Sequence, residues 1–451
     1  MDTRSYTDFS IAFATYLTKY TGIWVARNAA EELQRKISMS YTAVALVYGI
    51  YLNVVDIYHT WGDATHCTFL ILNATCLVTT IIKMIILNSK RAGFADALFC
   101  AKQHFWHGNY DSEERLIFSI SVKYCTLYVV FVICSLQIAL SGYVITPIIE
   151  NIGRNKSDRV LPFKLWVNLP LTETPYFELA FASQITLLLL LNEVFMIILI
   201  WLTVKRRWAH TFNDHPMFLR LLYHLFNIVL VQVISVYLIG AAYICPETFL
   251  CVFNLHVMGQ FRILQHRMLN FCNVESKEMN ADTYTDHCYA ALKKCIKHHQ
   301  LLIEFCEKLE HVYTMSIFTH MVVLSLLLCF DAYEIIVANT SPSMRIIFLF
   351  HGVGSLGQVF MVTYTCHFMM EESTNIITSI YSGSWSTLPM NDVGRSFRSS
   401  MKFTMIRSLK PCCLTAAGFF PLTLETFTSL LSSTFSYFTL MRQSLMRSDG
   451  E

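Results

Sequence analysis

Apolar residues in this chain collect in runs long enough to cross a bilayer, which takes roughly 20 residues per helix. The runs are 39–58, 68–87, 124–146, 313–337 and 344–369, with a long apolar region at 176–261 and a last run at 412–441. Polar stretches separate them: 1–38, 147–175, 262–312 and 370–411. The pattern predicts an all-α polytopic membrane protein with seven transmembrane helices. Transmembrane helices 1–4 fall within 39–261 and helices 5–6 within 313–369. A last helix covers 412–443, broken near Gly418 and Pro421. That helix is rich in Thr and Ser, the composition of a helix that borders water inside a membrane.

Composition agrees. The 451 residues are 54% hydrophobic with a mean hydropathy of +0.44. Charged residues make up 15%, against about 25% in soluble domains. Residues 1–38 are amphipathic (Phe9, Ile11, Phe13, Tyr16, Leu17, Tyr20) and lack an apolar core with a cleavage site, so the first span is expected to direct insertion. Lys83, near one end of span 2, is expected to snorkel towards the interface. The net charge of +2 gives no argument for nucleic acid.

Lys and Arg divide unevenly between the two sides. With 176–261 taken as one crossing, 22 lie on the side of 1–38, 88–123, 262–312 and 371–411, and 7 on the other. The positive-inside rule then sets the N-terminus in the cytoplasm and the C-terminus outside. Asn155-Lys-Ser157, a glycosylation triplet, falls outside. This orientation is the reverse of a G-protein-coupled receptor, and neither a D/E-R-Y nor an N-P-x-x-Y motif occurs. The paired, Gly/Pro-broken halves of secondary transporters are also missing.

The fifteen cysteines read as packing residues. Cys76, Cys125, Cys134 and Cys329 sit inside apolar runs, and Cys412-Cys413 is too closely spaced for a zinc pair. No metal or other cofactor is expected. No Ser-His-Asp set, catalytic carboxylate pair or phosphate-cradling loop appears, so the chain is not read as an enzyme.

Five motifs follow in order through the C-terminal half. They are His256-Val-Met-Gly259-Gln260-Phe-Arg-Ile-Leu264; His298-His299-Gln300 with Leu309-Glu310; Ile380-Tyr381 with Trp385; Met405-Ile-Arg407-Ser-Leu-Lys410-Pro411; and Thr434-Phe-Ser-Tyr437-Phe-Thr-Leu440-Met-Arg-Gln443. Together they resemble the insect odorant receptors. The N-terminal half matches only in general pattern, including Phe94-Ala-Asp96.

The resemblance implies an odorant-gated, non-selective cation channel of the plasma membrane. It implies a heterotetramer of odorant-binding subunits with a shared co-receptor, gated by a small volatile odorant. Four last helices would surround one pore, with Tyr437, Leu440, Gln443 and Ser444 on the pore face. Leu440 would be the apolar gate and Gln443 the polar ring. Cytoplasmic segments 262–312 and 370–411 would form the subunit anchor, using Phe261, Ile263, Leu264, His298, Leu301, Leu309, Tyr381, Trp385 and Ile406. An apolar ligand pocket would lie in the outer half of the bundle. Its candidate residues are Phe69, Leu72, Gln137, Tyr143, Phe177, Phe181, Phe330, Tyr333, Phe348 and His351. Asp331 and Glu334 are expected either to meet a polar ligand group or to sit in interfacial water. A gustatory receptor, or a seven-span G-protein-coupled receptor, is the alternative.

One segment departs from the family pattern. Deleting 185–232 joins Phe177–Gln184 to Val233–Gly240 as a single fourth helix. The extra residues hold an apolar run and the basic cluster Lys205-Arg206-Arg207. Hydropathy alone reads a span that ends inside at the basic cluster and a second that returns from about Leu221, eight spans in all, which would turn the anchor and the last helix over. They are therefore read as a retained intron or a faulty gene model.

Overall fold

The computed structural model describes residues 4–23, 26, 28–62, 64–106, 110–153, 159, 161, 177–185, 218–270, 272, 281–336 and 342–448. Its helices, in chain order, are α1 (Arg4–Thr21), α2 (Ala29–His59), α3 (Ala64–Ser89), α4 (Arg91–His104) and α5 (Ser112–Asn151). A helical stretch at 177–185 is α6. Then come α7 (Phe218–Asn270), α8 (Ala281–Ile336), α9 (Pro342–Thr374), α10 (Ile376–Ser382), α11 (Asp392–Ser408) and α12 (Leu424–Ser448). A two-residue hairpin, Thr415–Ala416 against Phe420–Pro421, stands just before α12.

Among the described residues, six helical segments are long and apolar enough to cross a membrane, within α2, α3, α5, α7, α8 and at Arg345–Thr387. α12 is not among them, because Ser and Thr along one face lower its mean apolarity. On α2, Val44, Val47, Tyr51 and Val54 point away from the bundle. In water such a face would be a liability; against lipid tails it costs nothing.

α7 is the central helix, packed on α1, α2, α3, α5, α8, α9 and α10. Its 53 residues measure about 80 Å at 1.5 Å per residue, well beyond one bilayer. The same holds for the 56-residue α8. Both are therefore long enough to continue past the membrane, and 281–311 of the charged stretch is helix rather than loop. Residues 218–232, 15 of the 48 residues set apart above, run without a break into 233–270 as one helix and do not return as a separate span. Residues 186–217 lie outside the described set.

Two glycines are demanded by space. Gly22 (φ +79°) ends α1 where a Cβ would meet the Met39 backbone at 2.6 Å. Gly259, in the first motif, lets α7 approach α5, since a Cβ there would meet Ser121 Oγ at 2.4 Å.

Ion pairs near the start of α5 and the ends of α7 and α9 staple the bundle. Asp111 and Glu114 form a capping box at the start of α5. The same Glu114 accepts two hydrogen bonds from the Arg267 guanidinium, at 2.5 and 2.9 Å. Arg262 and Gln265 of α7 both donate to Glu372 of α9, at 2.6 and 2.9 Å.

Some expectations change here. Lys83 does not snorkel: its side chain is fully buried because Glu247 supplies a counter-charge inside the bundle. Asp331 and Glu334 are buried, not in interfacial water. The last helix begins at Leu424, and 412–423 form the hairpin segment instead. All fifteen cysteines are free thiols and eleven are buried, packing as small hydrophobes would, Cys125, Cys251 and Cys288 with no exposed area.

Candidate functional site

Four features could serve function: the exposed face of α12, the hairpin before it, an outer apolar cluster, and a buried charge cluster below that.

On α12, Leu430, Thr434 and Phe438 turn towards α8 and α9. The opposite stripe carries Glu425, Thr428, Ser429, Ser432, Ser433, Ser436, Tyr437, Leu440 and Gln443, all exposed on the single chain. Tyr437 and Leu440 are 61% and 60% exposed. Tyr437, Leu440 and Gln443 thus lie exposed along one side of α12. The Ser444 side chain lies outside the described residues.

The hairpin ties α12 to α8. Glu310 of α8 accepts from the Thr415 backbone N–H at 2.8 Å and from the Thr415 hydroxyl. Thr314 donates to the Thr415 carbonyl at 3.1 Å, and its own carbonyl accepts from Ala417 N–H at 3.2 Å. Ala417 and Gly418 take positive φ at the turn. The Cys412 thiol is held below its usual range, chiefly by its hydrogen bond with Cys306 and against the effect of burial. Just before α5, burial pushes the Tyr110 phenol up, against the hydrogen bond it receives from Gln260.

The predicted anchor residues divide. Phe261, Ile263, Leu264 and Leu309 are sealed in the subunit's own core, with Leu301 packed against it. His298 is half-buried beside Arg267. Tyr381 and Ile406 are exposed, and Trp385 donates its indole N–H to the Ile380 carbonyl at 2.7 Å. The buried residues therefore shape the scaffold, and only the exposed ones are free to meet another subunit.

Among the ligand candidates, Phe69, Leu72 and Phe348 come together with Leu327 in a cluster separate from the main core. The Phe69 and Phe348 rings meet edge to face at 6.0 Å. His351 borders them, its Nδ1–H donating to Asp331 at 2.7 Å and its Nε2 lying 3.9 Å from Cys76 Sγ. Phe177 and Phe181 stack on each other on α6 at 5.6 Å. Phe330 is partly exposed; Tyr333 and Gln137 are half-buried. The Tyr143 side chain and Asn155 lie outside the described residues.

The charge cluster escaped the sequence reading. Lys83 Nζ of α3 lies 2.8 Å from Glu247 of α7 and 2.7 Å from His320 Nδ1 of α8. It also stands 4.6 Å from the centre of the Tyr243 ring. The signal was present: a Lys, a Glu and a His inside apolar helices are expensive unless they pair.

Comparison with known proteins agrees with this architecture. The sequence model of the 7tm odorant receptor family matches residues 187–435, more than half of the chain. The match encloses much of the segment set apart above. The chain is similar to odorant receptor 67c of Drosophila melanogaster, 24% identical over 46% of this chain and 48% of that one. It is similar to odorant receptor 10 of Aedes albopictus, 28% identical over 48% of this chain and 55% of that one. These alignments span about half the length of each relative. In fold, it is similar to the insect olfactory receptor OR5 from Machilis hrabei solved with eugenol. The TM-score is 0.70 at 12% identity, covering 98% of this chain and 100% of that one. The chain belongs to the 7tm odorant receptor family and is a multi-pass membrane protein. Membership in a receptor family accords with the reading that it is not an enzyme.

Proposed function

We propose that this chain is an odorant-binding subunit of an odorant-gated, non-selective cation channel in the plasma membrane. It works as a heterotetramer with the odorant receptor co-receptor, with its N-terminus cytoplasmic and its C-terminus outside. The observation that carries this reading is the uncovered Ser/Thr stripe of α12. A helix with one packed apolar face and one polar face needs water or another subunit on the polar side. Four such helices around an axis would meet both needs. Leu440 then forms an apolar constriction that excludes water when closed, and Gln443 meets ions when it opens. The ligand binds in the outer half, at the cluster of Phe69, Leu72 and Phe348. α8 is one rigid helix that borders this cluster and also holds the hairpin through Glu310, so a shift at its outer end reaches α12.

The test is expression of the chain with and without the co-receptor, followed by recording of odorant-evoked current. Cation current that depends on both subunits is expected. An odorant response without the co-receptor, or no current with it, refutes the assignment.

A further inference from the structure

We infer that the outer-half site takes an apolar ligand carrying a carbonyl oxygen, which accepts a hydrogen bond from Nε2–H of His351. The inference rests on the odorant-binding role proposed above and names its ligand class.

Asp331 is 2% exposed, and a carboxylate can only accept, so the 2.7 Å contact fixes a proton on His351 Nδ1. A bare carboxylate at this depth is strongly unfavourable without a counter-charge. Among the described contacts of Asp331, His351 is the ion-pair partner, and no Lys or Arg competes. The imidazole is therefore protonated on both nitrogens, and Nε2–H is a donor. What faces it is the Cys76 sulfur at 3.9 Å, a weak acceptor at the limit of contact.

Accessibility differs across the pair. The His351 side chain is 33% exposed and that of Asp331 is 2% exposed. The side a ligand can reach is the imidazolium, already aimed by the carboxylate behind it. The surroundings are apolar: Phe69, Leu72, Leu327 and Phe348.

This combination selects among small molecules. A ketone or ester packs against these apolar side chains and satisfies Nε2–H without bringing a donor of its own. An alcohol accepts equally well but leaves its O–H unpaired among aromatic rings. A hydrocarbon leaves Nε2–H unpaired. An amine is repelled by the imidazolium, and a carboxylate, although Nε2–H could donate to it, must shed its hydration among apolar side chains.

The test records current from the chain with its co-receptor, using linear ketones, alcohols and alkenes of equal length. Ketones are expected to act at about tenfold lower concentration than the others. His351→Leu should bring the three classes together. His351→Gln, which keeps a donor, should retain part of the preference, and surface labelling confirms that both variants reach the membrane. A wild-type preference for alcohols or alkenes overturns the inference, as does a ketone preference that survives His351→Leu. If none of the three classes evokes current while other odorants do, the carbonyl inference fails and the receptor role stands. If no odorant evokes current, the receptor role itself fails.

Discussion

The Lys83 ammonium lies 2.8 Å from a Glu247 carboxylate oxygen, and neither side chain reaches solvent or lipid. The pair joins α3 to α7 inside the bundle, with His320 of α8 bonded to the same ammonium. Removing one partner strands the other charge, at a cost of about 3–5 kcal/mol. Lys83→Met is therefore expected to lower the melting temperature of the purified receptor and its surface yield. Lys83→Met with Glu247→Leu should recover most of the loss. Equal loss in the single and double variants would contradict the pairing.

Gly259 belongs to a motif shared with odorant receptors, and its reason here is space. A side chain would run into Ser121 of α5. Gly259→Ala should cost about 1–3 kcal/mol through overpacking. Combining it with Ser121→Gly should return stability, read again as melting temperature. No rescue would mean that the motif glycine serves something other than this contact.

Glu310 holds the hairpin before α12 through two hydrogen bonds from Thr415. Hydrogen bonds to a charged group are worth about 1.5–3 kcal/mol each. Glu310→Ala should reduce the maximal odorant current while leaving the half-maximal concentration nearly unchanged, because it loosens the link to the gate and not the ligand site. Unchanged maximal current would remove the hairpin from the route between α8 and α12.

The proposed orientation rests on the 22-to-7 division of basic residues. A C-terminal epitope tag should be labelled on intact cells, and an N-terminal one only after permeabilisation. The opposite result would invert the channel as drawn.

The membrane class, the helix count and the face shared by Tyr437, Leu440 and Gln443 were all legible in the sequence, because each follows from local periodicity. Three things were not. Lys83 reads alone as a residue that could snorkel; only the packing of α3 against α7 reveals Glu247 as its partner. The hairpin at Thr415–Pro421 lay inside an apolar run, and hydropathy cannot tell a docked turn from a helix end. Asp331 and His351 are twenty residues apart on different helices, and their bond depends on a crossing that no single-helix pattern encodes. The anchor motifs show the same limit. Phe261 and Tyr381 look alike as motif aromatics, yet one is sealed in the core and the other is 77% exposed.

The central claim is that the uncovered stripe of α12 lines an odorant-gated pore. The most direct measurement is thiol modification of Leu440→Cys in the assembled channel, with the unsubstituted chain as control for its native thiols. A small cationic thiol reagent applied outside is expected to change the current of Leu440→Cys rapidly with odorant present, and slowly without it. Modification that proceeds equally with and without odorant, or that leaves the current unchanged, would contradict the account.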